Sequence, residues 1–527
     1  MDELSVDIDE EVVYHDLDEH INKFGGIPFI EHLLTQTEYS SEFGRLIIPN
    51  SSSSLPSLSP IVYDLPYNFL FNLALKNSSS AGTSKYHNEV YFKETLDLAS
   101  LFCYALYEVQ TLSIWENIYH HDKDQLSYIR DLIFRESIFD IHQSSSKFIF
   151  SFIRFIRKKE RAFDTKYSND FLIVIYFLLK DAKSNQFREL NLDSIKKSCK
   201  YITPDISHIL DKISISVREV NNGFLSPTDY NKVNYWSFPL LKMDNGSYLM
   251  LPASILSRCC LEAYLAHLRE KIKDFDAWLG TVIEEFTYNL FNRKGIRVIT
   301  GEFSFKSMSD GKEEKINGEC DGLIEFDKEI ILMEIKKKSL VRTSRSGDDA
   351  QILTDLGATL LASQVQGLKT QLALSMGDIV LTEKDHSETI QLNSRNIYRW
   401  TITMLPFGAL QDKSTVEEIL KIFTLTDFEY YLGDENQLTD SQKEMHRKKK
   451  KQIEKVSKLQ YEFRKYTEIL KLKRPFIRIS FFDIEKIFYI LRYGSSIDKI
   501  IEILSKLRHI SFGTLDFYKE LPLLIKE

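Results

Sequence analysis

The stretch GECDGLIEFDKEIILMEIKKKSL, Gly318–Leu340, decides how the chain is read. Apolar residues at Leu323, Ile324, Ile330, Ile331 and Leu332 flank Asp327-Lys328, so two strands joined by a tight turn are expected. With those two residues as the turn, Phe326 faces Glu329 and paired positions sum to 655. Asp321 then lies opposite Glu334, and Glu319 opposite Lys336. Side chains alternate along a strand, so Glu334 and Lys336 project from one face. Directly opposed residues bring their Cβ atoms to ~4.5–5.5 Å. Two carboxylates that close repel unless a proton or a cation lies between them. Ile330–Met333 is a continuous apolar run rather than an alternating one, which fits a strand buried on both faces. An acid and a lysine at the end of such a strand are costly without partners.

Carboxylates one strand apart suit a hard divalent cation such as Mg²⁺, which prefers oxygen ligands and keeps several waters. Such an ion polarises a phosphodiester and acidifies a bound water. A lysine beside it would orient the attacking water or neutralise developing phosphate charge. Asp321, Glu334 and Lys336 thus meet the minimum for metal-assisted phosphodiester hydrolysis. An amphipathic hairpin with surface charges is the bland alternative, since Glu-x-Lys alone occurs on many exposed strands.

Asp321, followed after twelve residues by Glu334-Ile335-Lys336, resembles the PD-(D/E)XK nuclease superfamily. Upstream, LGTVIEEFTYNLFNRKG carries Gly280, Glu284 and Gly295 at the spacing of that family's Gly-x-x-x-Glu helix. Cys320-Asp321 stands where many members have Pro-Asp. The resemblance covers about Phe275–Thr382. It implies an α/β chain with a restriction-endonuclease-like mixed-sheet core, here between large, mainly α-helical N- and C-terminal regions. It further implies Asp321 and Glu334 as ligands of Mg²⁺ or Mn²⁺, Lys336 as the catalytic lysine, and a helix acid that assists at the metal. Family spacing favours Glu284 for that acid, whereas helical phase brings Glu285 closer to the apolar face. Several branches carry a glutamine on a later helix near the scissile phosphate. LLASQVQGLKTQLAL offers Gln364, Gln366 and Lys369 there, Gln366 and Lys369 sharing a face. Gln366 is taken as catalytic and Lys369 as a nucleic-acid contact, although a surface helix often carries both residue types. Between strand and helix, VRTSRSGDDAQ (Val341–Gln351) resembles a mobile loop at the site entrance. The activity implied is endonucleolytic, on DNA more than RNA. A nuclease-fold module that binds nucleic acid, or scaffolds a partner complex, without cutting is the alternative.

The whole chain has 527 residues and a net charge of −8, which at first argues against a nucleic-acid partner. The charge is unevenly placed. The first twenty residues hold nine Asp or Glu and no Lys or Arg, and are expected to form an acidic, disordered tail. Residues 443–478 hold fourteen Lys or Arg against four Glu. There Val456, Leu459, Phe463, Tyr466 and Leu470 recur at three- and four-residue steps, so one helix face packs while the cations face outward. Lys448, Lys449, Lys450 and Lys451 are the candidate phosphate contacts, sequence-independent and salt-sensitive. The tail could cover this basic surface when no substrate is present.

The domain reading places a mostly helical region at 21–235, the nuclease-like domain at 236–410 and a helical C-terminal region at 411–527. A hairpin around Asp244-Asn245-Gly246 marks the first junction, and Phe481–Leu491 reads as a helix. The aromatic, basic-ended KFIFSFIRFIRKKER (Lys147–Arg161) reads as a core helix rather than a membrane or nucleic-acid contact. The helical flanks raise the expectation of a protein partner or homo-oligomer, and of a role in antiviral defence. Five scattered cysteines form no CxxC pair and fit a reducing compartment. The acidic start is unlike a signal peptide and the longest apolar run is far below ~20 residues, so a cytoplasmic protein without membrane contact is expected. His120-His121-Asp122 invites a metal reading but places no third ligand, and Asp348-Asp349 reads as a solvated loop.

Overall fold

Helices dominate the first of two units, Met1–Phe275, in the computed structural model. It describes residues 9–48, 65–106, 125–159, 166–198, 206–309, 312–383, 386–431 and 438–494, with isolated positions beyond. The helix Glu10–Phe24 overturns the expectation of a disordered tail over residues 10–20; the first eight residues lie outside the described ones. Asp9 caps this helix, and Val13, Tyr14, Leu17, Ile21 and Phe24 form a buried stripe that outweighs its acidic composition. Asp18 accepts from Lys76 and Asn77, and Glu19 pairs with Lys23, so two of the carboxylates imagined as a cover for the basic surface already have partners. Ser146–Lys159 is a core helix, burying Phe148, Ile149, Phe152, Ile153 and Ile156. The hairpin Leu240–Lys242 and Tyr248–Met250 joins a four-stranded sheet inside this unit, so it marks no junction. The division falls instead between Phe275 and Asp276. The His120-His121-Asp122 triplet lies outside the described residues.

Asp276–Glu527 forms the second unit, a mixed α/β structure. Helix α1 (Phe275–Asn292) leads to strands β1 (Ile299–Ser309), β2 (Lys312–Glu325) and β3 (Glu329–Lys336). Helices α2 (Asp349–Leu356) and α3 (Ala362–Met376) follow, joined by one π-helical turn at Gly357–Leu361. Then come β4 (Ile379–Glu383), β5 (His386–Ile390) and β6 (Asn396–Thr403). Helices α4 (Lys413–Leu425) and α5 (Asp440–Ile469), strand β7 (Ile479–Asp483) and helix α6 (Ile484–Tyr493) complete it.

The seven strands form one sheet in the order β5-β4-β1-β2-β3-β6-β7. Its first five members pair antiparallel, whereas β3, β6 and β7 run parallel. The C-terminal region is therefore not a separate helical domain. Ile479-Ser480-Phe481-Phe482-Asp483 is buried along its whole length as β7, although periodicity alone reads Phe481 into a helix. A short, uniformly apolar run carries no period, and only its partner β6 makes it a strand. Helix α3 packs across β2, β3 and β6, and α5 lies on α2 and α3. At the π turn α5 comes so close that a Cβ on Gly357 would stand 2.7 Å from Val456.

A candidate active site at the splayed ends of β2 and β3

Register places the site. Gly322 faces Met333, Leu323 faces Leu332, Ile324 faces Ile331 and Glu325 faces Ile330, so the 655 pairing holds. Strand β3 is buried from Ile330 to Ile335, as its unbroken apolar run requires. One step further, at Asp321 and Glu334, the ladder ends. The Asp321 side chain takes over, its Oδ2 accepting from the Ile335 N–H at 2.9 Å. On its other side β2 carries an irregularity that sequence alone does not announce. Ile299 on β1 faces Leu323, yet Gly301 faces Cys320, so an extra residue sits at Asp321-Gly322. A bulge of this kind bends the strand and re-aims the side chain at that point. Tyr288, on α1, donates its hydroxyl to the Asp321 carbonyl and fixes the bulge from the helix side.

Three side chains meet where the strands part. Lys336 Nζ lies 3.2 Å from Asp321 Oδ2 and 3.4 Å from Glu334 Oε2. The Glu334 side chain is 2% exposed, Asp321 9% and Lys336 19%. Burial, then the nearby Asp321 carboxylate, pushes the Glu334 carboxyl well above the usual range, against the pull of Lys336. Burial opposes charge on Lys336 as well, but Glu334 and Asp321 outweigh it and hold the ammonium above its ordinary value. The direction for this cluster is a charged lysine set chiefly against Asp321, with a proton retained on Glu334. Glu334 Oε1 is buried and meets no hydrogen-bond partner.

Helix α1 contributes Glu284. Burial and the charges of Asp321 and Glu319 raise its carboxyl to about 7. Of the two helix acids left open by the sequence, Glu284 stands in the field of Asp321 and Lys336. Glu319 is raised in turn by burial and by Asp321 and Glu302, the latter its direct partner on β1. An open groove of about 1060 Å³ begins at Glu302 and Glu319 and runs along the β1–β2 ribbon, floored by Phe303, Phe305 and Met376.

The other site residues expected from sequence divide. No contact joins Gln366 to the carboxylates among the described residues; its carbonyl accepts from Thr370. The buried glutamine is Gln364, whose Nε2 donates to Thr401 Oγ1 at 3.1 Å. Thr401 stands in register with Glu334 on the neighbouring strand, so Gln364 lies beneath α3 at the level of the site. Lys369 is turned to α5, paired with Glu462 at 3.1 Å and set over the Tyr466 ring, so it is not a free nucleic-acid contact. Lys449 is likewise engaged, 2.6 Å from Asp348, which caps α2. Lys448, Lys450 and Lys451 are exposed. The segment Val341–Gln351 is tied down rather than mobile. Asp355, fully buried, accepts from Val341 N–H, Ser344 and Gln351, and pairs with Lys338 at 3.0 Å.

The donor set fits a hard divalent cation. Buried Glu334 and partly buried Asp321 face each other, and one oxygen, Glu334 Oε1, lies desolvated with nothing to bind. Among the described residues no three His, Cys, Asp or Glu side chains converge closely enough to form a cage. Mg²⁺ does not need one, since one or two carboxylates suffice when water and substrate complete its shell. Also among the described residues, no helix is long and apolar enough to cross a membrane. Comparison with family models, curated proteins and solved structures gives no match.

Proposed function

We propose that the second unit hydrolyses phosphodiester bonds of nucleic acid, DNA in preference to RNA, in the manner of the PD-(D/E)XK nucleases it resembles. The observation that carries this reading is the trio at the splayed strand ends: Asp321 and Glu334 facing each other, with Lys336 between them. Asp321 and Glu334 would hold Mg²⁺ or Mn²⁺, with Glu284 assisting, and the ion would supply a polarised phosphate and a water of lowered pKa. To act as a ligand Glu334 would have to give up the proton that its burial favours. Lys336, relieved of its contacts to the carboxylates, would be free to neutralise charge developing on the phosphate or to orient the attacking water. Glu284, raised to about 7, can hold or release a proton in the neutral range where such a reaction runs. The Tyr288 hydroxyl and the Ile335 N–H keep the Asp321 bulge in place throughout.

The test is direct. Full-length protein incubated with supercoiled DNA, linear DNA or RNA and Mg²⁺ or Mn²⁺ is expected to cut DNA. Glu334→Gln and Lys336→Met are each expected to lower the rate at least 10²-fold. Absence of cleavage under all these conditions sinks the reading. One observation favours a second: Lys336 already neutralises the pair, so the site is stable as a closed ion cluster. A binding module that never cuts would then show nucleic-acid affinity indifferent to Glu334→Gln. A part in antiviral defence is the biological expectation the helical flanks raise, checked by phage plaque counts on cells carrying wild type or Lys336→Met.

A further inference from the structure

Helix α5 divides the basic segment in a way its composition does not. Its buried side is Ile453, Val456, Gln460, Phe463 and Tyr466, against α2 and α3. At about 100° per residue, Arg447, Lys451, Lys455 and Lys458 fall on the side away from that face with Lys448 at its edge, while Lys449 points inward to Asp348. All five are exposed. Lys448 reaches Glu444 at 3.6 Å, both in open solvent. Arg447, Lys451, Lys455 and Lys458 have no ion-pair partner among the described residues, although exposed Glu454 stands among them, three residues after Lys451 and four before Lys458. Like charges three and four positions apart repel and weaken the helix that carries them. Glu444 and Glu454 offset part of that repulsion, and a polyanion would offset the rest.

We infer that this stripe is a docking surface for the sugar–phosphate backbone of double-helical nucleic acid. Arg447 to Lys458 spans about 16 Å at 1.5 Å per residue. That exceeds the ~12 Å width of a B-form major groove, so cations at the two ends can reach phosphates on both rims. Between Arg447 and Lys458 no aromatic side chain stands, and exposed Tyr461 lies alone one turn beyond, which argues for backbone contact over the serial base stacking that single strands use. The choice of polyanion rests on the phosphodiester reading of the neighbouring site. The binding it predicts does not require cleavage, so the two can fail separately.

The experiment is fluorescence anisotropy of a labelled mixed-sequence duplex of about 24 base pairs with the full chain, in EDTA, across a salt series. Each phosphate contact contributes about −0.9 to the slope of log affinity against log salt. Lys451→Glu with Lys455→Glu should weaken binding at least tenfold and flatten that slope by about 2. Lys451→Gln with Lys455→Gln should give a smaller loss in the same direction with an unchanged melting temperature. Lys328→Glu, the same charge change in the β2–β3 turn, should leave binding as in the wild type. The inference is overturned if the double variants bind as the wild type does, or if Lys328→Glu weakens binding equally. Tighter binding to phosphatidylserine vesicles or to single strands than to duplex also overturns it. Protein that binds duplex through the stripe but never cuts refutes the hydrolase reading alone; protein that cuts while the stripe variants bind normally refutes this one alone.

Discussion

Replacing Glu284 by Gln should make the protein more stable at neutral pH while impairing the proposed reaction. The Glu284 carboxyl titrates near 7 in the fold against 4.5 outside it, because burial and the charges of Asp321 and Glu319 disfavour its ionised form. Each pKa unit corresponds to about 1.4 kcal/mol, so full ionisation would cost about 3 kcal/mol. The side chain is only about half buried and water screens part of that cost, which leaves roughly 1–2 kcal/mol. For a group raised in the folded state, the native protein binds the extra proton, so stability is complete below pH 4.5 and falls as pH rises through 7. Gln does not titrate. In EDTA, melting curves of wild type and Glu284→Gln should therefore lie closest at or below pH 5, draw apart between pH 5 and 7, and hold a constant gap above it, the variant leading by roughly 2–6 °C. Mn²⁺ should then raise the wild type more than the variant, since a cation relieves the crowding that Gln has already removed. A gap that stays constant from pH 5 to 8.5 would refute the argument, because it would mean that Glu284 ionises as freely as an exposed acid.

Lys336→Met strands Glu334 and Asp321 face to face, and breaking a buried pair from one side costs about 3–5 kcal/mol. Urea unfolding should show that loss. The residue is thus both a proposed catalytic group and a stabilising one, and variants at this position need not melt like the wild type. Asp355→Ala removes the acceptor of three hydrogen bonds and the partner of Lys338; hydrogen exchange at the Val341 amide should accelerate at least tenfold. Gly280→Ala should stabilise α1 by about 1 kcal/mol in a thermal melt, since nothing lies within 4 Å of the added Cβ. Lys449→Ala should leave duplex affinity nearly unchanged, because its ammonium is already held by Asp348.

The hairpin and its register were legible in the sequence because a turn and an apolar pattern fix pairing locally, and every residue from Glu325 back to Gly322 then follows. The second carboxylate and the lysine came with it, since strand period alone puts Glu334 and Lys336 on one face. The rest of the site required distant chain segments to meet. Helical phase could not choose between Glu284 and Glu285, and the burial and Asp321 charge that raise the Glu284 carboxyl depend on a strand more than thirty residues away. Gln364, not Gln366, is the glutamine turned onto the sheet, where it bonds Thr401, because α3 is seated by β2, β3 and β6 together and its rotation there is not encoded in spacing. Lys369 and Lys449 read as free cations until α5 and Asp348 supplied their partners.

By itself the sequence determined the two strands, their register, the carboxylates and lysine they carry, and the presence of a basic helix. Only the tertiary structure decided that residues 10–24 form a packed helix, that 479–483 is a strand, and that the ladder breaks at a bulge on Asp321. The division follows the range of the forces. Alternation and turn chemistry act between neighbours and leave their mark in spacing. Burial, desolvation and ion pairing act between residues that the chain brings together only once it has folded.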